Sequence, residues 1–319
     1  MADSGLSIVV LNYNTRDLLA RCLQSIQRYA PDAETIVIDN ASPDGSARVV
    51  QQQFPWARLQ ANAANVGFAR GMNEGLAFAA APLVLALNAD TELLPDTLPP
   101  LLETTTRLPR AGILGPAQYA PDPARPGATG RQLASAFPDP TLLREAWRLL
   151  LFGDNLLARL RLGPWQPYTG PPRPVAWLMG AALLLRRACL NDIHAFDETQ
   201  FMYGEDWDLC YRARAAGWQV YFVPSAHILH HENAAGQQQF GVARRARVVQ
   251  ANLHFHQKHF GKVSRRMLAG LYGLGAGLRL GVLLLHRPLQ RASPLWSEKW
   301  HGHLMEARAA LSDVLTPGG

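Results

Sequence analysis

Over the first 115 residues short apolar runs alternate with helical patterns, and no other feature of the chain limits its fold as tightly. The runs are Leu6–Leu11 (LSIVVL), Thr35–Asp39 (TIVID), Ala57–Ala61 and Leu83–Leu87 (LVLAL). Between them lie helical patterns at Thr15–Tyr29, Ser46–Gln53 and Ala69–Ala80. Thr15 stands where an N-cap belongs, ahead of Leu18, Leu19, Cys22, Leu23 and Ile26 at helical spacing. Strands that alternate with helices build a parallel sheet from βαβ units. Ligands of such sheets bind beyond the carboxyl ends of the strands. The segments just after each run are therefore where chemistry is expected.

Four such segments carry polar side chains. Asn12-Tyr13-Asn14 follows the first run, and Tyr13 there is suited to stack on a base. Asp39-Asn40-Ala41-Ser42-Pro43-Asp44-Gly45 follows the second, with a carboxylate able to accept a pyrimidine imide N–H. Asn65-Val66-Gly67-Phe68-Ala69-Arg70 opens the third helix, where Arg70 would meet phosphate. Asn88-Ala89-Asp90 follows the fourth run, and Asp90 leaves a buried strand as a ligand of an oxygen-preferring divalent ion should. Each site taken singly is an ordinary turn. Their recurrence at successive strand ends is what favours function.

Further on, Pro- and Gly-rich stretches break the alternation over residues 117–175, around an amphipathic pattern at Thr141–Leu162. Irregular segments of that length commonly serve as lids or binding loops. A second ordered block follows, with strands at Ala181–Leu185 and Gln219–Val223 around a helix at Gly204–Ala216. That helix begins Glu205-Asp206-Trp207-Asp208. Acidic residues in a first turn are favoured by the helix dipole, so a well-capped helix explains them as well as catalysis does. The catalytic reading makes one of them a base for an acceptor hydroxyl. After the last strand come His227, His230 and His231, one of which would complete a metal site with Asp90.

Together these segments (VVLNYN, IVIDNASPDGS, NVGFARGMNEGL, LNADTEL, FDETQFMYGEDWDLCYRARAAGW and VPSAHILHH) resemble family 2 glycosyltransferases, in the branch that contains bacterial rhamnosyltransferases. The resemblance runs over about residues 6–260. It implies a GT-A nucleotide-diphospho-sugar transferase fold, α/β with a Rossmann-like mixed sheet flanked by helices, and a C-terminal helical extension. It implies that Asn12, Tyr13, Asp39, Asn40, Asn65, Arg70, Asn88 and Glu205 bind the nucleotide-sugar, and that Asp206 is the general base. Asp90 and His230 would hold Mg²⁺ or Mn²⁺, with His231 the alternative to His230. The family's paired aspartates read here as Asn88-Ala89-Asp90, which leaves one strong carboxylate ligand. The implied reaction is a metal-dependent inverting transfer, expected to move rhamnose from dTDP-rhamnose to a lipid-linked or membrane-proximal cell-surface glycan. A UDP-hexose or N-acetylhexosamine transferase of the same fold, or a non-catalytic scaffold that binds sugar nucleotides or membrane, is the alternative. The acceptor would be a glycan or a polyprenyl-diphosphate-linked sugar, and a homodimer is compatible with all of this.

Charge sets the C-terminus apart. Residues 1–239 carry 19 Lys/Arg and 22 Asp/Glu, a net of −3, whereas residues 240–319 carry 12 and 3, a net of +9. The overall +6 therefore belongs to the last quarter of the chain. Within it, Met267–Leu285 is mostly apolar, about 28 Å long as a helix, and holds five glycines and Arg279. It would lie on a membrane, pack on the catalytic domain, or span a bilayer. Nucleic acid is not expected as a partner, because no aromatic residues interleave with the basic ones in a recognisable module. The N-terminus lacks a basic region ahead of its first apolar run, which reads as a strand and not as a signal peptide. Three cysteines without CxxC spacing suggest a reduced compartment. The expected organisation is a transferase domain at 1–260 and a basic extension at 261–319, in the cytoplasm and peripheral at the plasma membrane.

Overall fold

The computed structural model describes residues 5–125, 127–150, 169–231, 243–290 and 294–315. The chain divides into two compact units: Met1–Pro138 with Pro167–Ala235, and Asp139–Gln166 with Gly236–Gly319.

The first unit is an α/β layer structure. Its strands are β1 Leu6–Asn12, β2 Glu34–Asp39, β3 Arg58–Ala61, β4 Leu83–Asn88, β5 Thr91–Leu93, β6 Ala111–Pro121, β7 Thr129–Leu133, β8 Ala136–Phe137, β9 Arg173–Pro174, β10 Trp177–Leu178, β11 Ala182–Arg186 and β12 Gln219–His230. Its helices are α1 Arg16–Tyr29, α2 Ser46–Gln53, α3 Phe68–Phe78, α4 Leu98–Arg107, α6 Arg187–Ile193 and α7 Glu205–Ala215, while α5 Leu142–Leu150 lies in the second unit. The main sheet runs β3-β2-β1-β4-β11-β6-β12-β5, with β7 on β6 and β9 on β12; β8 and β10 form a separate pair. β1, β2, β3 and β4 are mutually parallel, as the alternation predicts, and β11 enters antiparallel between β4 and β6. The sheet is therefore mixed.

Successive residues of a strand face opposite sides, so a strand covered on both faces needs apolar residues throughout. β1 meets that condition: Val9 and Leu11 pack toward α3, α6 and α7, and Ile8 and Val10 toward α1, α2 and α4. Helix α3 sits unusually close. A Cβ on Gly75 would lie 2.3 Å from Val9 Cγ1, and one on Gly71 would lie 2.7 Å from Leu11 Cδ1. The expected helices and strands of the first 115 residues are present within a few residues of their sequence limits. One local expectation changes. Thr15 does precede α1, but its hydroxyl makes no cap bond and donates instead to Asn12 Oδ1 at 2.7 Å. The segment 117–175, read as irregular, carries the end of β6 with β7, β8, α5 and β9; its residues 151–168 lie outside the described ones. β12 runs seven residues beyond Val223, to His230.

The second unit is helical. It contains α5, α8 Arg244–Gln290 and α9 Pro294–Leu315, and α8 is broken at Gly261 (φ 83°, ψ 173°). Leu149, Val249, Leu253, Leu268, Tyr272 and Ala310 form its apolar centre. His256 is buried there, bonded through Nδ1 to Ser264 Oγ and through Nε2 to the Pro140 carbonyl.

Candidate active site

Parallel pairing aligns the carboxyl ends of three strands. Asn12 is in register with Asp39 across β1–β2, and Leu11 with Asn88 across β1–β4. The strand order reverses at β1, with β2 on one side and β4 on the other, which opens a crevice there. Its floor is a hydrogen-bonded network. Asn12 Nδ2 donates to Asp39 Oδ1 at 2.7 Å and to Ser42 Oγ at 3.1 Å, and the Ser42 N–H donates to Asp39 Oδ2 at 3.0 Å. Asn40 Nδ2 donates to the Gly67 carbonyl at 2.9 Å, and Asn62 bridges Asn40 Oδ1 and Glu74. Asn12, Asp39 and Asn40 are all buried. The amides of Asn12 and Asn40 are thus spent on holding this floor. Asp39 is the carboxylate that Asn12 and the Ser42 N–H orient.

Around it the backbone takes left-handed conformations that side chains disfavour, at Asn14 (φ 55°) and Ala41 (φ 59°). Tyr13 lies half-buried between Asn12 and Asn14. Asn65 Oδ1 accepts from the Gly67 N–H at 3.0 Å and so shapes the start of α3. Arg70 is exposed and pairs with Glu74 at 3.4 Å.

Asp90 and His230 are 140 residues apart in sequence and meet through sheet pairing. β12 runs antiparallel to β5 with His230 opposite Thr91, and His230 Nε2 lies 3.5 Å from Asp90 Oδ1. His230 Nδ1 is 3.0 Å from Gln118 Oε1 on β6, which orients the ring and leaves Nε2 turned to Asp90. His231 turns elsewhere: its Nε2 bonds Glu92 Oε1 at 2.7 Å, and this bond holds the Glu92 carboxyl below its usual range. Of the two histidines, His230 is the one whose ring faces Asp90. Asn88 Oδ1, on the same strand end, is buried with no protein partner. Among the described residues no group of three His, Cys, Asp or Glu converges as a metal cage.

The acidic helix start divides by role. Asp208 pairs with Arg212 at 2.6 Å, and Arg212 also donates to the Ile193 and Ala195 carbonyls. Asp208 is structural. Asp206 is partly exposed; its Oδ2 accepts from the Gly180 N–H at 3.0 Å and its Oδ1 from the Trp207 N–H at 2.9 Å. Glu205 is buried with Oε2 unpartnered. Burial pushes both carboxyls above their ordinary range, and for Glu205 the charge of Asp206 adds to the effect. Tyr203 (φ 75°) and Gly204 (φ 87°) turn the chain sharply into α7. The loop before them is tied to α3: Asn73 bonds the Phe196 N–H and carbonyl, and the Phe68 N–H donates to the Phe201 carbonyl at 2.8 Å. Beside Asp206 stand Trp207 and Trp177, with ring centroids 5.4 Å apart, and Phe137 stacks on Trp177 at 4.0 Å.

Sequence reasoning missed Ser42, Asn62, Gln118 and Gly180. Ser42 sits in the turn after the second apolar run, and Gly180 just ahead of the run Ala181–Leu185; nothing in the sequence around Gln118 signals its part. Chemically, the arrangement offers an oriented carboxylate for a base, an O/N pair for a hard divalent ion, and a partly exposed carboxylate beside aromatic rings.

A family model described as glycosyltransferase-like family 2 matches residues 4–273. The chain is 32% identical over 246 residues to the N-acetylglucosaminyl-diphospho-decaprenol L-rhamnosyltransferase of Mycobacterium tuberculosis, covering 71% of this chain and 76% of that protein. It is 35% identical to the rhamnosyltransferase WbbL of Escherichia coli over 71 residues, 22% of this chain and 27% of the relative. Among solved structures, a mannosyltransferase from Pyrobaculum calidifontis, in complex with GDP-Man and Mn²⁺, superposes with TM-score 0.57 at 16% identity, over 97% of this chain and 87% of that one.

Proposed function

For a chain that belongs to glycosyltransferase family 2, has the GT-A fold and is a glycosyltransferase, we propose the transfer of L-rhamnose from dTDP-rhamnose to a polyprenyl-diphosphate-linked glycan, with inversion. The similarity to a rhamnosyltransferase named for a lipid-diphosphate acceptor supports the sugar and the acceptor class. The observation that carries the mechanism is Asp206, a partly exposed carboxylate fixed at both oxygens by backbone N–H groups at the start of α7.

Inverting transfer is one in-line displacement at the anomeric carbon. Asp206 takes the proton of the acceptor hydroxyl as its oxygen bonds to that carbon and the bond to the diphosphate breaks. Asp39, held by Asn12 and Ser42, accepts the imide N–H of thymine, and Tyr13 lies beside the base. Asn65 shapes the loop that carries Arg70 and the start of α3 toward the diphosphate. Glu205 is raised further than Asp206, so the negative charge of the pair rests on Asp206.

Asp90 and His230 would hold Mg²⁺ or Mn²⁺, with Asn88 Oδ1 as a neighbouring oxygen. The donor set fits: a carboxylate oxygen, an imidazole nitrogen oriented by Gln118, and an orphaned amide oxygen suit a hard divalent ion. With two ionisable ligands among the described residues, such an ion would draw its further oxygens from the donor and from water, as is usual for Mg²⁺. Such an ion, when bound, offsets the charge of the leaving diphosphate. A soluble donor and a lipid-linked acceptor together imply work at the cytoplasmic face of the bacterial plasma membrane.

Asp206→Asn tests the base. Transfer is expected to fall by about a thousandfold, while donor-nucleotide affinity by calorimetry stays near wild type; undiminished transfer overturns the assignment. Thermal shift against dTDP-rhamnose and UDP-sugars tests the donor, with preferential stabilisation by UDP-sugars selecting the UDP-hexose alternative.

A further inference from the structure

We propose that one face of helix α8 seats the chain on an anionic lipid bilayer, with the helix lying in the plane of the surface. After the break at Gly261, Val263, Met267, Leu274, Leu278 and Leu285 recur at four- and seven-residue steps and form a single stripe. Val263 is 70% exposed, Met267 56%, Leu274 57% and Leu285 80%. Among the described residues nothing covers it at its glycines: Gly270, Gly277 and Gly281 have no atom within 4 Å of where a Cβ would stand. An apolar strip this long, open to water, marks an interaction surface.

Charge identifies the occupant. No Asp or Glu occurs anywhere in Arg244–Gln290. Lys262 and Arg266, both exposed and one turn apart, flank the apolar stripe on one side, and Lys258 is exposed just before the break. Basic residues beside an apolar helical face suit the boundary between headgroups and acyl chains of a negatively charged surface. The long stems of Lys262 and Arg266 lie along apolar surface while their charges reach the lipid phosphates. A second copy of the chain is a poorer occupant, because two such faces bring the same cations together with no carboxylate on either helix.

The opposite face explains why α8 lies flat and does not span. By length and composition alone Arg244–Leu285 is apolar enough to cross a membrane, with mean hydropathy 1.7 in its most apolar window. Yet Leu268, Ala269 and Tyr272 are buried in the centre of the helical unit. The Tyr272 hydroxyl accepts from Asn252 at 2.9 Å and from Arg148 at 3.1 Å, and Arg279 donates to the Arg148 carbonyl at 3.2 Å. A helix crossing the bilayer would break these bonds or carry two arginines into hydrocarbon. One half of α8 is committed to protein. The stripe of Val263, Met267, Leu274, Leu278 and Leu285 is the part turned to solvent.

Flotation of the full-length protein with vesicles tests this independently of any donor or acceptor. The wild type is expected to float with phosphatidylcholine vesicles containing phosphatidylglycerol, not with pure phosphatidylcholine, and to be released by salt. The double variant Leu274→Glu/Leu278→Glu should lose at least tenfold in partitioning. Lys262→Glu/Arg266→Glu should lose about fivefold or more per residue. All four side chains face solvent, so melting curves should be unchanged, and a variant that melts early is replaced by Leu274→Gln/Leu278→Gln. Equal binding to neutral and anionic vesicles, or full binding by either double variant, overturns the proposal. So does lipid-free self-association that the Leu274 and Leu278 variants abolish without vesicle binding, and so does vesicle binding that survives an alkaline carbonate wash. Failure of the transferase reading leaves every one of these outcomes intact.

Discussion

Single residues divide here into those that would touch substrate and those that hold them. As the proposed base, Asp206 would act only when ionised, and burial raises its carboxyl above the ordinary ~4. The acid limb of the pH–rate profile is therefore expected above that value, with kcat/KM rising as pH rises through it; a limb at or below 4 would count against Asp206. The same shifts act on stability. The folded chain retains protons at Glu205 and Asp206 that the unfolded chain has released, so stability from this pair is present at low pH and lost as pH rises through the raised values. Gln118 is the clearest positioning residue. Gln118→Leu removes the bond to His230 Nδ1 and should weaken Mn²⁺ binding about 10–100-fold, read by titrating the metal against donor-nucleotide affinity while melting stays close to wild type. Much of this site was legible in sequence, because Asn12, Asp39, Asp90, Glu205 and Asp206 all sit just past apolar runs or at a helix start. Which of these groups are spent on each other was not. The Asn12–Asp39 and Asn40–Gly67 bonds join separate strands and loops, and only the assembled sheet brings them together.

At the scale of elements, glycines separate helices built for contact from a helix face left open. In α3, Gly71 and Gly75 bring the helix onto β1, and Gly67 (φ 87°) lies where a Cβ would stand 2.5 Å from the Phe201 carbonyl. Gly75→Ala should destabilise by about 1–3 kcal/mol through overpacking. Gly67→Ala should do the same and also cut transfer, since it pushes on the loop that leads into Glu205 and Asp206. Gly277→Ala in α8 meets nothing and should be neutral or stabilising by up to about 1 kcal/mol. Chemical denaturation of the three variants checks this order, and equal effects would refute it. β6 and the end of β12 were hidden from sequence pattern for a physical reason. β6 carries Gly112, Gly115 and Pro116, which read locally as breakers, and β12 carries Pro224 and a register shift between Val223 and His227. Long-range pairing overrode local propensity in both.

For the whole molecule, the charge division and the structural division nearly coincide but differ in one excursion. Residues 139–150 leave the α/β unit and belong with the C-terminal helices, where Leu149 is 2% exposed. Leu149→Ala should cost about 2–5 kcal/mol in the helical unit. Calorimetry is expected to show that transition lowered with the α/β transition unmoved; a single shifted transition would mean the units melt together. The sequence by itself determined that strands and helices alternate, that polar groups gather at strand ends, that an acidic helix start follows, and that net positive charge resides in the last quarter. Those properties are local, set by periodicity and by short spacing along the chain. Tertiary structure alone decided that His230 and not His231 faces Asp90, that Gly180 holds Asp206, that α5 joins α8 and α9, and which face of α8 remains uncovered. Each of these depends on contacts between residues far apart in sequence, whose energies no local window contains.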